Sequence, residues 1–322
     1  MEAELVKREG IRYASIPAAG LHGVGLRQLP RNLFQLGRGI GASAQHVREF
    51  RPDVLLLTGG YLAAPMAVAA RAVPTVLYVP DIEPGLALKF LARFADRIAV
   101  TSAESQRYFS KKVVVTGYPV RPGLGGWTRK RARTALKLRD DLPVLLAAGG
   151  SKGAHSINQA LMAILPALLK LTQVVHITGQ GDWDAVAAMS SKLTKLEARR
   201  YRPFPYVHEK MGAALAAADM AVMRAGASVL GELPLFGLPA VLVPYPHAWR
   251  YQRLNAEHLA AHKAAVIIRD EDLRTELLPV VRKLLLSPRR RKSMHTAMRA
   301  LARPEAAREL AGQLQELGGQ RP

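Results

Sequence analysis

Short apolar runs that alternate with helical patterns over most of this chain restrict it to a parallel α/β architecture. The runs at 52–58, 75–79, 97–100 and 112–115 contain few polar residues, as expected of strands buried on both faces. Helical patterns at 61–71 and 86–94 separate them. The rhythm restarts at 144–148 and continues through 173–177, 201–207, 220–223 and 240–243. Between the two series, residues 117–126 are dense in glycine and proline. The chain therefore divides near residue 121 into a first α/β domain over 1–120 and a second over 121–322. The first opens on a helix-like segment at 3–9 and a strand at 11–16, and a terminal helix over 305–317 is expected to pack back across the domains.

With 322 residues, 49% of them hydrophobic, both domains can bury a core. The chain has no cysteine, which excludes disulfides, thiolate metal sites and cysteine nucleophiles. Its start is too acidic and too polar for a secretory leader, and no apolar stretch is long enough to span a bilayer, so a cytoplasmic location is expected. The formal net charge of +21 calls for an anionic partner or surface, unless it is only a solvated coat. Nucleic acid is disfavoured, because no recognition motif is present and the basic clusters lack interleaved aromatics. An anionic membrane surface fits better, each nearby Lys or Arg contributing about 1 kcal/mol.

The segment 149–159, Gly-Gly-Ser-Lys-Gly-Ala-His-Ser-Ile-Asn-Gln, reads as a glycine turn between a strand and a helix start. Glycine lets the backbone approach an anion, and the helix's first-turn N–H groups favour negative charge. Its order differs from the Walker A loop and from the dinucleotide fingerprint. A polar Thr178-Gly179 pair follows the next strand, at the edge where open α/β sheets collect ligands. Residues 224–233 repeat the strand, glycine and helix order and place Glu232 about two turns in, where it suits the hydroxyls of a ribose. The loop ending at His247 and the polar stretch 249–257 suit a sugar.

Taken together, these segments resemble the MurG-type glycosyltransferases, which move N-acetylglucosamine from UDP-N-acetylglucosamine to a lipid-linked muramyl-peptide pyrophosphate. The family's GGSQGA followed by Asn-Gln is matched by Gly149 to Ala154 with Asn158-Gln159. Its CRSGA…SELAAAGLPA is matched from Met223 through Glu232 to Ala240, and its junction Gly-Asn-Pro-Val-Arg by Gly117 to Arg121. In the first half Pro52-Asp53-Val54, Gly59-Gly60-Tyr61 and the Ala19 to Gly25 segment look like family motifs.

The resemblance implies a GT-B fold: two Rossmann-like domains with the reaction in the cleft between them. By matched position, Gly150, Ser151, Gly153 and Gly226 would surround the diphosphate and Arg121 would neutralise charge at the junction. Glu232 would bind the ribose, the backbone near Val207 and His208 would read the uracil, and Gln252 and Asn255 would lie near the sugar. Neither a metal nor another cofactor is implied. The expected partners are a UDP-sugar, a lipid-linked acceptor and the cytoplasmic face of an anionic membrane, to which the protein would bind peripherally.

Departures from the family also carry expectations. Nothing corresponds to the family's opening GGTGGH loop, so a coding start upstream of Met1 is expected. The family's His-Glu-Gln-Asn is replaced by Tyr78-Val79-Pro80-Asp81, and its Gln-Gln by Tyr251-Gln252, which removes an amide from the sugar site. Asp81 and His22 are the candidate bases within the chain. These departures leave two alternatives open, a diverged UDP-sugar glycolipid synthase and a non-catalytic nucleotide-sugar-binding remnant. A UDP-sugar hydrolase or 2-epimerase of the same two-domain plan matches the motifs less well.

Overall fold

The computed structural model describes residues 3, 6–7, 9–18, 28–110, 112–150, 153–207, 210–248 and 250–319. Two parallel sheets organise them. The first contains β1 (Leu55–Leu57), β2 (Thr75–Val79), β3 (Arg97–Val100) and β4 (Val113–Val115) in spatial order 1-2-3-4. Its helices are α1 (Leu29–Phe50), α2 (Ala63–Ala69) and α3 (Leu86–Leu91). Residues 11–16 form no strand and are mostly exposed, contrary to expectation. They carry Arg12, Tyr13 and Ser15 among the apolar residues and make no sheet pairing that would satisfy their backbone.

The second sheet contains β5 (Val144–Ala148), β6 (Gln173–Ile177), β7 (Tyr201–Phe204), β8 (Met220–Met223), β9 (Ala240–Leu242) and β10 (Ala265–Ile267). Their order is β10-β9-β8-β5-β6-β7, with every pair parallel. This is the doubly wound arrangement, in which the chain leaves β5 toward one edge of the sheet and returns to continue from β8 toward the other. The helices are α4 (Arg129–Ala135), α5 (His155–Leu169), α6 (Trp183–Ser190), α7 (Lys195–Ala198), α8 (Met211–Ala217), α9 (Val229–Phe236) and α10 (Tyr251–Ala261). They are followed by α11 (Leu273–Leu285), α12 (Pro288–Ala300) and α13 (Ala306–Gly318).

Side chains two apart on a strand share a face, and the core follows this rule. Val144, Leu146 and Ala148 pack into one apolar layer of the second sheet, while Leu145 and Ala147 pack into the other. In the first sheet Leu77, Val79, Ile98 and Val100 meet α3, and the opposite face presents Val76, Tyr78 and Ala99. That face is covered by α13 from the far end of the chain, through Leu310, Leu314 and Leu317. Arg97, itself buried, fastens this helix by donating to Gln313 Oε1 and to Glu316 Oε2, both at 2.7 Å.

Candidate active site

The open edge between β5 and β8 carries a cleft of about 800 Å³. From Ala148 the chain turns through Gly149 and Gly150 to Gly153 and enters α5. Gly150 and Gly153 have φ of +83° and +80°, the left-handed region in which a Cβ is costly. A Cβ on Gly153 would also come within 2.4 Å of the Thr178 carbonyl oxygen. The turn is thereby pressed against the loop after β6.

Among the described residues no side chain caps the N-terminus of α5, a 15-residue helix whose N-cap is Ala154 and whose first residues, His155 and Ser156, line the cleft. That end is electropositive and suits a phosphate. Asn158, one turn in, donates to the Thr178 carbonyl at 2.8 Å and to Asp182, and its Oδ1 lies 2.9 Å from His176 Nε2. The family-like Asn of this motif therefore braces the turn. Ser151 lies outside the described residues, as do His208 and His22.

Arg224, at the end of β8, is held against the first turn of α5, and nothing in the motif around it signals that position. Its guanidinium is held by the carboxylate of Asp270, by Ser156 Oγ at 2.7 Å and by the Val243 carbonyl at 3.2 Å, and it lies over the Tyr245 ring. This is a fixed cation, oriented by three neighbours. Gly226 lines the cleft beside it, and a Cβ there would meet nothing within 4 Å, so the approach is open. Gln252 lines the opposite lip. Its Oε1 accepts from the Tyr245 N–H at 2.9 Å, which leaves its amide donors for a ligand. His247 lines the same lip.

Glu232 lies in the first turn of α9, earlier than the two turns read from the sequence. It sits one turn beyond Ser228 and Val229, which line the cleft, and so on their side of the helix. Gly231 permits this approach to the junction, because a Cβ there would come within 2.8 Å of the Tyr118 ring. Among the described residues the Glu232 carboxylate has no hydrogen bond or ion pair. Burial pushes its pKa up, and the charge of Arg121 opposes that shift. Arg121 itself is exposed at the junction.

Asn255 is placed differently from the sugar contact implied by its position. It is fully buried, and its Oδ1 accepts from the Ile82 N–H at 3.1 Å. Its Nδ2 donates to Asp81 Oδ1 at 2.8 Å and to the Ala225 carbonyl at 3.1 Å. Both amide protons and the amide oxygen thus have protein partners, and the residue ties the segment after β2 to the segment after β8. Asp81 follows β2, half-buried, with its pKa raised by burial against the opposing hydrogen bond from Asn255. A second tie lies alongside, where Arg250 makes a two-point ion pair with the buried Glu83.

Comparison with known proteins places this geometry in a family. Residues 144–310 match the model of the glycosyltransferase family 28 C-terminal domain, and residues 1–100 match that of its N-terminal domain. A UDP-N-acetylglucosamine–N-acetylmuramyl-(pentapeptide) pyrophosphoryl-undecaprenol N-acetylglucosamine transferase from Roseiflexus sp. is 41% identical over 98% of this chain and 81% of the relative. One of the same name from Desulforudis audaxviator is 38% identical over 99% and 88%. Among solved structures, Acinetobacter baumannii MurG superposes with a TM-score of 0.76 at 25% identity, covering 98% of this chain and 88% of that one. A UDP-GlcNAc 2-epimerase from Neisseria meningitidis, bound to UDP-GlcNAc, shares the fold at 12% identity and a TM-score of 0.66, covering 98% and 88%. With its two parallel sheets in the GT-B arrangement and family motifs around the β5–β8 cleft, the chain belongs to glycosyltransferase family 28, alongside the MurG-type N-acetylglucosamine transferases.

Proposed function

We propose that this protein transfers N-acetylglucosamine from UDP-N-acetylglucosamine to a lipid-linked muramyl-peptide pyrophosphate, with inversion at the anomeric carbon. The observation that carries the reading is the α5 terminus behind a left-handed glycine turn, with Arg224 held against its first turn and Glu232 one turn beyond the cleft-lining Ser228 and Val229. The diphosphate takes the turn N–H groups, Glu232 accepts from the ribose hydroxyls, and the free donors of Gln252 face the sugar. An acceptor hydroxyl then attacks C1, the bond from C1 to the diphosphate oxygen breaks, and UDP leaves with the electron pair. The released proton passes to Asp81, whose second carboxylate oxygen is free of Asn255.

Developing charge on the diphosphate is met by the α5 dipole and by Arg121 and Arg224, and each donor of this kind typically lowers the barrier by about 2.7–4 kcal/mol. The chain's own groups supply this neutralisation in the proposal, without a metal at the diphosphate. Two Asp-x-Asp pairs flank the cleft, but Asp182 is engaged by His155 and Asn158, and Asp270 by Arg224 and Ser156. We extend the reading to a peripheral site of action on an anionic membrane surface, where lipid-linked acceptors reside. Its support is the net charge together with Leu33, Phe34, Leu62 and Phe90, exposed on α1 to α3 and their connections among the basic Arg31, Arg38 and Lys89. Among the described residues no helix is long and apolar enough to cross a membrane.

The test is donor binding by Glu232→Ala. UDP raises the melting temperature of the wild-type chain in this account and leaves that of the variant unchanged. Equal protection of both would remove Glu232 from the nucleotide site.

A further inference from the structure

Away from the cleft, three metal-ligating side chains from the two halves of the chain converge at the C-terminal end of α10. His258 and His262 are four residues apart and so share a face of the helix. Glu104 reaches them from the helical turn Ala103–Tyr108 that follows β3. One donor atom of each residue lies within 4.8 Å of the other two. Glu104 Oε2 is in direct contact with His258 Nδ1, and the two imidazole rings are 4.7 Å apart. His262 Nδ1 donates to the His258 carbonyl at 2.9 Å, which leaves the ligating lone pair on Nε2.

The surroundings provide room and charge. A cavity of about 450 Å³ is lined by all three residues and also by Glu305 and Glu309. Two imidazoles and one carboxylate with an open side form the donor set of three-ligand zinc sites that keep a fourth position for water. We propose that Glu104, His258 and His262 bind a divalent transition-metal ion of the zinc class and that this ion pins α10 to the first half of the chain.

The existing Glu104–His258 contact must open to admit the ion, since metal–ligand bonds of about 2.0–2.2 Å separate the ligand atoms more widely. Glu104 is 42% exposed and can re-aim to do so. The consequence reaches the donor cleft through one element. The same helix carries Gln252 on the cleft lip and Asn255 on Asp81, so fixing its far end restricts motion of the second sheet against the first. This site does not depend on the transferase reading, because metal binding is measured without donor or acceptor.

The test is calorimetric titration of the chelator-treated full chain with zinc sulfate, alongside Glu104→Ala, His262→Ala and His295→Ala, with thermal melts before and after loading. The wild-type chain and His295→Ala take up one ion and melt several degrees higher when loaded. His262→Ala and Glu104→Ala bind at least about tenfold more weakly, on the scale seen when metal-site groups are removed. His262 is exposed, so its variant melts with the metal-free wild type and reports on binding alone. Undiminished zinc affinity in His262→Ala, or no wild-type binding below the millimolar range, overturns the proposal.

Discussion

At the scale of single residues, the proposed reaction divides structural and chemical work between Asn255 and Asp81. A buried carboxamide with every donor and acceptor engaged contributes mainly through the groups it keeps satisfied, and each buried group left unpaired typically costs about 1–3 kcal/mol. Asn255 thus holds Asp81 in place at the junction. Burial raises the Asp81 pKa above its ordinary 3.8, so the carboxylate base forms only once the pH has passed that higher value. The acid limb of kcat/KM is expected to lie above the usual aspartate range for this reason. The same shift has the opposite sign for stability, because the folded state holds the proton more tightly and loses this contribution as pH rises through the window. Asp81→Asn keeps an acceptor for Asn255, should fold normally, and is predicted to lower kcat by about 10²–10⁴ while abolishing that limb. An unchanged kcat and pH profile would make Asp81 a structural residue. The sequence revealed the residue types at these positions but not their partners. The bond between residues 82 and 255 joins chain segments that no local pattern connects.

At the scale of elements, central strands such as β2, β5 and β8 are legible because each is a nearly continuous apolar run set by burial on both faces. The glycine turn before α5 was legible for a different reason, since its positive φ values and close carbonyl contact restrict the choice of residue. Polar or short elements were less legible. α1, with its charged and amphipathic pattern, the partly exposed β10 and the α11–α12 pair lie outside the strand rhythm of the sequence. Segment 11–16 looked like a strand by its apolar residues but found no pairing partner. The terminal helix was legible in position, whereas its docking on Val76, Tyr78 and Ala99 is a tertiary fact. Leu310 is the buried anchor of that contact, and Leu310→Ala is predicted to destabilise the protein by about 2–5 kcal/mol in urea melts. A loss under about half a kcal/mol would show that α13 is not part of the first sheet's core.

At the scale of the whole molecule, two sheets meet at a junction tied by Asn255, by the Arg250–Glu83 pair and by α13, which fixes Asp81 relative to the helix that carries Gln252. The same molecule carries a net charge of +21 and exposed apolar side chains on its first half. Cosedimentation at low salt is predicted to retain it on anionic vesicles and to release it as salt screens the attraction. Equal retention on neutral vesicles would contradict an electrostatic surface. The family-like motifs made the donor half readable, and the acceptor half less so because Tyr78 to Asp81 depart from the family there. The most direct test is to incubate the protein with UDP-N-acetylglucosamine and measure UDP with and without polyprenyl-pyrophosphoryl muramyl-pentapeptide. The account predicts UDP release that depends on this acceptor and matches the disaccharide product mole for mole. Release at the same rate without acceptor, or no release with both substrates present, would contradict it.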